Sequence, residues 1–589
     1  MKAHRKAVLA SLGDFTMTPR AVSISALAVL IGFVSAFIAL ALLKLIGIFT
    51  NLFFFQRWST ALVSPATNRL GWWEVAVPVV GALIIGFMAR YGSERIRGHG
   101  IPEAIEAILM SGSKVEPKVA LLKPLSSAIS IGSGGPFGAE GPIIMTGGAF
   151  GSMIAQLFRL TATERKTLLV AGAAAGMSAT FASPVAAVLL AVELLLFEWK
   201  PRSFIPVALA SVTAGAARRY ILGLGPLFPV PPHPVFIGPQ GLMGCVVAGV
   251  LAGALSALLT LAVYAAEDLF GLLPIHWMWW PALGGLAIGL GGLIFPQALG
   301  VGYDTIGALL QGEVPRNLIL GILLVKSVIW AVSLGSGTSG GVLAPLLMMG
   351  GALGGIEAMF LPHEGAGFWP LVSMGAILGG TMRSPFTGVI FALELTHDVN
   401  MLVPLLLAVT IAHGFTVLTL KRSILTEKVA RRGFHLSREY AVDPLEILFV
   451  RDVMRTNIVA LPASATPGNL SERGGQQLYP VVEENGVLVG TVTRSGLHPF
   501  LQDRLSQTTL ADLAEKNPVI AYTDEPLRVV VNRMAETGYT RFPVVERDGN
   551  RKLVGIVGLR DLLQARTRVL HEEGSRERVL RIRLPFRSA

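Results

Sequence analysis

From about residue 20 to residue 420 the chain consists of apolar runs separated by glycine, proline and short polar clusters. The runs over 21–49 and 241–266 are long enough for one helix to cross the roughly 30 Å hydrocarbon core of a membrane. Others, such as Val75–Ala89 and Leu318–Leu334, are shorter or interrupted by glycine. Because broken helices at membrane depth are tolerated only where protein buries them or where they line a cavity, this pattern predicts a channel or transporter.

The pattern changes after residue 445. Alternating apolar segments, charged helical stretches and turn dipeptides such as Asn485-Gly486 predict a soluble α/β unit there. Within it, LYPVVEENGVLVGTV (478–492) is similar to RFPVVERDGNRKLVGIV (541–557), so we expect two copies of one fold. The boundaries that we predict are 1–20 for an N-terminal segment, 21–425 for the membrane domain, 426–445 for a linker, 446–505 and 510–570 for the two copies, and 571–589 for a basic tail.

The membrane domain contains an internal repeat. GSGGPFGAEGPIIMTGGAFG (132–151) aligns without gaps to GSGTSGGVLAPLLMMGGALG (335–354) at an offset of 203, and ten of the twenty positions are identical. Further along, ATFASPVAAVLLAVELL (179–195) matches GTMRSPFTGVIFALELT (380–396) at an offset of 201. A near-constant spacing of about 200 residues indicates a duplicated domain.

We therefore predict two repeats, over about 75–215 and 280–420. Duplicated transporter halves commonly lie in inverted topology with the substrate at their interface, although spacing by itself fits parallel halves as well. The predicted fold class is a polytopic α-helical membrane domain of two inverted-topology repeats with broken helices, followed by a soluble α/β domain.

The charges support a membrane location. Only 15% of the residues are charged, against about 25% in soluble chains, and the net charge is +11. Basic residues concentrate at the chain start, around 421–432 and in the tail, as expected for cytoplasmic segments beside membrane spans rather than for a nucleic-acid surface. We expect a multi-pass protein of the cell (inner) membrane, surrounded by lipid, with both termini in the cytoplasm and no nucleic-acid partner. The lone Cys245 excludes an intrachain disulfide.

Each repeat places a glycine-rich stretch immediately before an apolar helical segment. Free backbone N–H groups at a helix start, together with the helix dipole, bind an anion without a full cation, and partial charges permit its release. The first stretch carries Glu140, where the second has Leu343 at the matching position. A carboxylate beside an anion site competes with the anion, so Glu140 is predicted to act as a gate. The alternative is an ordinary helix N-terminal acid.

Several stretches resemble the CLC family of chloride channels and transporters over almost the whole chain. They are GHGIPE (98–103), GAEGP (138–142), GGVLAP (340–345) and AGAAAGMSATFASPVAAVL (171–189). The resemblance implies that the permeating chloride or other small anion is bound by backbone N–H groups of five residues: Ala139, Glu140, Gly141, Val342 and Leu343. It also implies a homodimer with one pore per subunit.

Three positions depart from the family pattern. His99 stands where many members have a serine that coordinates the central anion, and Leu425 replaces the tyrosine that usually closes the site. Leu194 occupies the place of a glutamate that proton-coupled exchangers often carry. Because leucine cannot hold a proton, the sequence favours a voltage- or pH-gated chloride channel, with a proton-coupled or fluoride-handling antiporter as the alternative.

The C-terminal unit resembles a tandem CBS pair. In nucleotide-binding CBS units a hydroxyl residue contacts the phosphates and an aspartate holds the ribose, which implies contacts at Thr493 and Asp561 here. Each copy lacks the other member, because Gly496 and Gly558 occupy those places. An adenine nucleotide is thus one reading, and a dimerisation module without cofactor is the other. The sequence contains no metal-ligand spacing and no nucleophile–base pair among the spans, so we expect no enzymatic activity.

Overall fold

The computed structural model describes residues 18–433, 445, 448–470, 475–502, 507–547 and 550–574, without the side chains of 566 and 568–574. The chain forms two compact units, one reaching to Arg432 and the other between Gly433 and Ser575. Most of the predicted N-terminal segment, linker and basic tail lies outside the described residues.

The first half of the membrane unit contains eight described helices. They are α1 (Arg20–Phe55), α2 (Ala76–Tyr91), α3 (Ile101–Met110), α4 (Pro117–Gly132), α5 (Glu140–Gln156), α6 (Ala162–Phe181), α7 (Pro184–Leu190, continued by a π-helical turn over Ala191–Leu196) and α8 (Pro201–Ile221). The second half repeats this order. Its helices are α9 (Pro239–Gly271), α10 (Trp280–Ile294), α11 (Tyr303–Gln311), α12 (Arg316–Gly335), α13 (Leu343–Glu357), α14 (Phe368–Met382), α15 (Pro385–Thr396) and α16 (Leu402–Thr419). A final helix, α17 (Ile424–Arg431), follows. This architecture confirms the predicted pair of inverted repeats.

Six helical segments of the described chain are long and apolar enough to cross a membrane. Two of them contain the runs predicted to span alone, α1 and α9. The expectation was wrong for Leu318–Leu334, because α12 continues unbroken over 20 residues and is long enough to span. It was also wrong for Val75–Ala89, which lies in a helical segment over Gly71–Tyr91 that is long enough to span. The one internal glycine of α12, Gly321, costs only about 1 kcal/mol in a helix, and a Cβ there would lie 2.5 Å from the Phe295 ring. The helix therefore persists, and the glycine admits a neighbouring aromatic side chain.

The core of the unit is formed by helices that are buried on every side. Every residue of α14 is buried, and so is nearly all of α6. Helix α6 crosses α5 at Gly147 and Gly172, where a Cβ on either residue would overlap the other's carbonyl oxygen. Small residues let the two backbones touch, which is how membrane helices associate without a hydrophobic driving force.

Glu193 and Glu394, related by the 201-residue offset, cap each other's repeat. Glu193 accepts hydrogen bonds from the backbone N–H groups of Phe386 and Thr387 at the start of α15, 3.2 and 2.9 Å long. Glu394 accepts them from Val185 and Ala186 at the start of α7, 3.0 and 2.8 Å long. Each carboxylate satisfies helix-start donors that would otherwise lack partners. Both residues therefore have a structural role.

The second unit consists of two interleaved copies. In the first, β1 (Leu461–Pro462) pairs parallel with β2 (Leu478–Val482), which pairs antiparallel with β3 (Leu488–Thr493). Strands β4 (Ala521–Tyr522), β5 (Arg541–Val545) and β6 (Leu553–Gly558) repeat this order. The described helices are α18 (Val450–Val453), α19 (Arg494–Gln502), α20 (Leu510–Leu513), α21 (Leu527–Thr537) and α22 (Leu559–Gly574).

The two copies exchange backbone hydrogen bonds. Arg455 from the first copy bonds in both directions to Ile556 of β6, and Thr491 of β3 does so with Glu515 from the second copy. Each sheet is thus extended by a segment of the other copy.

Candidate anion site

Three glycine-rich loops meet at the interface of the two membrane repeats. Gly98 donates to the Thr338 carbonyl over 3.1 Å, and Gly340 donates back to Gly98 over 3.4 Å. Gly138 donates to Gly341 over 3.1 Å, and Gly341 returns a bond of 2.8 Å. The structure therefore brings together all three stretches that the sequence singled out.

The approach of these loops requires glycine. A Cβ on Gly141 would overlap the carbonyl oxygen of His99, and a Cβ on Gly100 would lie 2.6 Å from the carbonyl carbon of Gly141. Gly100 also has a φ of +92°, which side chains other than glycine rarely adopt. The backbones are in direct contact here, so the junction has no room for side chains at these positions.

Helices α5 and α13 begin at this junction. Helix α5 starts at Glu140 with Ala139 as its N-cap residue, and α13 starts at Leu343 with Val342 as its N-cap residue. The first N–H groups of a helix have no intrahelical acceptor and form the positive end of its dipole. The five backbone groups predicted to bind the anion thus lie at two adjoining helix starts, one from each repeat.

The Glu140 side chain lies between these helix starts. It is fully buried, and the backbone N–H groups of Glu140 and Ala344, in the first turns of α5 and α13, act on its carboxylate. A Cβ on Gly138 would overlap this carboxylate, and one on Gly341 would lie 2.9 Å from Glu140 Oε2. The carboxylate therefore occupies the place that an anion bound by α5 and α13 would need.

His99 and Leu425 border the junction differently. His99 is 2% exposed, and no partner for its Nδ1 is found in the described part of the chain. Leu425 is buried in α17, whose start is held by a hydrogen bond from the Tyr264 hydroxyl to the Ile424 carbonyl. An imidazole nitrogen is thus available near the loops, whereas position 425 contributes only apolar surface.

Cations surround the loop that carries His99. The buried Glu103 accepts a 2.7 Å hydrogen bond from the Gly100 N–H and pairs with Lys428 over 3.2 Å and with Arg432 over 3.3 Å. Arg432 also pairs with Glu106. Lys123 belongs to the same group of charges.

Two buried lysines, Lys123 and Lys326, were missed by the sequence reasoning. Lys123 donates to the carbonyls of Ile96 and Gly98 over 2.8 and 2.7 Å, and Lys326 donates to those of Ala298 and Gly300 over the same two distances. The two lysines are separated by the 203-residue offset, which was the signal available in the sequence. Lys123 thereby fixes the loop that precedes α3, and Lys326 fixes the loop that precedes α11.

The predicted proton-path position carries no titratable group. Leu194 is fully buried in the π-helical turn that follows α7. Its neighbour Glu193 is engaged in capping α15.

Residues 80–417, more than half of the chain, match the family model described as "Voltage gated chloride channel". The chain belongs to this family, the CLC proteins. A CBS domain model matches residues 450–501 and 510–568. Both parts of the predicted resemblance are therefore confirmed.

Relatives of this CLC protein carry two kinds of name. A putative chloride channel protein, ClcB-like, from Ralstonia nicotianae is 30% identical over 358 residues, covering 58% of this chain and 82% of that one. An H(+)/Cl(-) exchange transporter, ClcA, from Salmonella arizonae is 30% identical over 365 residues, covering 59% of this chain and 76% of that one. The crystal structure of a eukaryotic CLC transporter is similar in fold, with a TM-score of 0.60 at 20% identity, covering 92% of this chain and 98% of that one.

In the CBS pair of this CLC protein, the predicted nucleotide contacts already have protein partners. Asp561 is 6% exposed, accepts a hydrogen bond from Arg455 Nε over 2.7 Å, and accepts another from the Gly558 N–H over 2.9 Å. Thr493 is exposed, and its hydroxyl accepts from the Gly496 N–H over 3.2 Å. Both oxygens of the aspartate that would hold a ribose are thus occupied.

Proposed function

We propose that this CLC protein carries chloride across the cell (inner) membrane, through one pore in each subunit of a homodimer, with Glu140 as the gate. The observation that carries the proposal is the Glu140 carboxylate, buried between the starts of α5 and α13, where the backbone N–H groups of Glu140 and Ala344 act on it. When it occupies the site it excludes the anion, and when it is displaced the same backbone N–H groups are free to bind chloride.

For the mode of transport we propose passive, gated flow, under the control of voltage or pH. Its support is the buried Leu194 at the position where a proton would have to wait. The second candidate is proton-coupled exchange, supported by the name of the Salmonella relative. Glu140 is a carboxylate that can take up a proton, so it is compatible with either mode.

Simultaneous chloride and proton flux from purified protein in liposomes tests both statements. Passive flow predicts chloride efflux that continues until its gradient is dissipated, with no proton movement against a proton gradient. Uphill proton movement driven by a chloride gradient would instead establish the exchanger. Absence of any anion flux in the wild-type protein would overturn the proposal as a whole. Repeating the assay with fluoride tests the fluoride-handling alternative.

We propose that His99 acts as a hydrogen-bond donor to the permeating anion, in the place of the family's serine. Its support is the buried Nδ1 without a partner, next to Gly98 and Gly100. His99→Ser is expected to change the ratio of chloride to nitrate flux, whereas an unchanged ratio would place the imidazole outside the route.

For the homodimer, the support is apolar surface on helices of both repeats. Val185, Val212, Phe386 and Val403 are 53–62% exposed in the single chain. These residues lie on α7, α8, α15 and α16, and the starts of α7 and α15 are held by the mutual glutamate caps. The molar mass of the purified protein, with the mass of the bound detergent subtracted, tests whether the protein is a homodimer.

We propose that the CBS pair is a folding and dimerisation module. The support is the engagement of both Asp561 oxygens by Arg455 and Gly558. Adenine-nucleotide binding is the second candidate, since CBS domains are present. Titration of the full-length protein with ATP and AMP, followed calorimetrically, separates the two candidates.

A further inference from the structure

A cavity of about 590 Å³ lies among helix ends of the membrane unit. This cavity, here called the Arg218 cavity, is lined by the end of α6, the start of α7, the last turns of α8 and the segment that follows α8, together with Glu394 and His397 from the end of α15. Its lining residues all lie outside the three glycine-rich loops of the candidate anion site. The cavity is therefore a separate feature of the molecule.

The Arg218 cavity lies at the end of the membrane unit that is opposite to the start of α1. Arg20, at that start, pairs with Glu164 in the first turn of α6 over 2.5 Å. Lys166, also near the start of α6, pairs with Glu198, which precedes α8, over 3.7 Å. Helices α6 and α8 thus begin on the side of Arg20, and both end at the cavity on the other side.

One wall of the cavity is basic and incompletely paired. Arg218 is 8% exposed and donates from Nη1 to the Gly223 carbonyl over 3.0 Å, but its Nε has no acceptor within the described residues. Arg219 is exposed beside it, and His397 adds an imidazole. Because a buried guanidinium N–H without an acceptor loses the free energy of its hydrogen bond to water, this wall calls for an anionic ligand.

The carboxylate among the described lining residues does not neutralise this wall. Glu394 uses its two oxygens to accept hydrogen bonds from the backbone N–H groups of Val185 and Ala186, 3.0 and 2.8 Å long. The cavity therefore has two guanidinium groups and one carboxylate that is already engaged as a helix cap. The balance of charge favours an anion.

The remaining wall is apolar and reaches the surface. Val212 and Leu224 line the cavity and are 58% and 81% exposed in the single chain. Val212 is also one of the residues that support the proposed homodimer, so the cavity borders that surface. A space with guanidinium groups on one side and aliphatic side chains on the other suits an amphiphile that carries a negative charge.

We propose that the Arg218 cavity binds the phosphate group of an anionic lipid, with Arg218 and Arg219 as the hydrogen-bond donors. Guanidinium groups bind phosphate oxygens through charge-assisted hydrogen bonds, for which the Nε of Arg218 is available. Inorganic phosphate offers the same chemistry at the basic wall, but it leaves the apolar wall without a contact. The site does not depend on Glu140 as the gate.

Native mass spectrometry of the purified full-length protein, titrated with phosphatidylglycerol, tests the proposal. We expect phosphatidylglycerol to bind in preference to phosphatidylethanolamine, whose headgroup has no net charge. Arg218→Gln is expected to weaken this binding about tenfold, because it removes a charge-assisted hydrogen bond. Arg219→Gln is expected to weaken it about threefold, because the exposed guanidinium is screened by water.

Arg69→Gln is the matched control. Arg69 is exposed and follows α1, so it lies at the same end of the unit but outside the lining of the cavity, and its substitution should change lipid binding less than about twofold. Arg218→Lys keeps the charge without the planar guanidinium and is expected to bind the lipid more tightly than Arg218→Gln does. If Arg218→Gln does not fold, Arg219→Gln carries the test, since residue 219 is exposed.

Two outcomes would overturn the site. They are equal binding of phosphatidylglycerol and phosphatidylethanolamine, and a loss of binding in Arg69→Gln as large as that in Arg219→Gln. Thermal unfolding in detergent separates the two sources of phosphate, because we expect phosphatidylglycerol to raise the unfolding temperature of the wild type more than that of Arg219→Gln. The same stabilisation by inorganic phosphate alone would overturn the lipid as the source.

Discussion

Gly138 and Gly341 exchange two backbone hydrogen bonds, 3.1 and 2.8 Å long, and thereby join the two repeats beside the Glu140 carboxylate. The exchange fixes the start of α5 relative to the start of α13. A Cβ on Gly341 would lie 2.5 Å from the Gly138 carbonyl oxygen, so the pair has no room for any side chain. The geometry of the candidate site is therefore set by backbone contacts, and substitutions are expected to act through them.

Glu140→Gln is expected to give constitutive anion flux with little dependence on pH. The amide keeps the size of the side chain but is never ionised, so it competes poorly with an anion for the N–H groups of α5 and α13. The measurement is chloride efflux from liposomes between pH 4.5 and 7.5. Glu313→Gln, at an exposed residue of the same unit, is the control. Gated and strongly pH-dependent flux in Glu140→Gln would count against Glu140 as the gate.

Gly141→Ala is expected to reduce flux at least about tenfold, because its Cβ would overlap the His99 carbonyl oxygen and push the first and second loops apart. Gly414→Ala is the matched control, since nothing lies within 4 Å of a Cβ there and residue 414 is within helix α16. The pair is compared in the same efflux assay, after both variants are shown to elute as the wild-type protein does. Equal activity in the two variants would contradict the close contact of the loops.

Glu193→Gln and Glu394→Gln are each expected to destabilise the membrane unit by about 1 kcal/mol, since a neutral amide is a weaker cap for two helix-start N–H groups than a carboxylate. Flux per folded protein, and its proton dependence, should stay within about twofold of the wild type. Thermal unfolding in detergent reports the stability, with Glu313→Gln as the reference. A selective loss of proton coupling in Glu193→Gln would instead give that residue a part in transport.

The Arg455–Asp561 pair is expected to stabilise the CBS unit by about 1 kcal/mol, because Asp561 is buried although Arg455 is half exposed. A double-mutant cycle of Arg455→Ala and Asp561→Ala in the full-length protein measures the coupling energy of the pair. Its readout is the hydrogen exchange of the β6 amides. The exposed pair Arg547–Asp524 serves as the control, for which a coupling near zero is expected. Equal couplings for both pairs would show that burial of Asp561 adds nothing.

Much of the fold followed from two patterns in the sequence. The offset linking 132–151 to 335–354 predicted the duplicated domain, and the glycine stretches ahead of Glu140 and Leu343 predicted helix starts, which the structure has at those two residues. Both patterns are local and repeat along the chain. Positions such as Gly141 also require glycine, because another backbone lies too close for a Cβ. A glycine in the sequence therefore indicates where two segments approach closely.

What the sequence did not indicate depends on contacts between distant segments. Lys123 and Lys326 occupy matching positions of the two repeats, but their common role is visible only from the carbonyl groups that they reach. The unbroken α12 was misjudged for a related reason: one glycine is a weak signal, and tertiary packing decides whether a helix continues through it.

The capping by Glu193 and Glu394 has a consequence for how such a molecule can be assembled. A chain of half the length would carry one acid and one helix start, and neither could satisfy the other within that chain. A second copy, packed in the opposite sense, would supply both missing partners at once. The bonds at the starts of α7 and α15 are thus of the kind that would hold two such copies together.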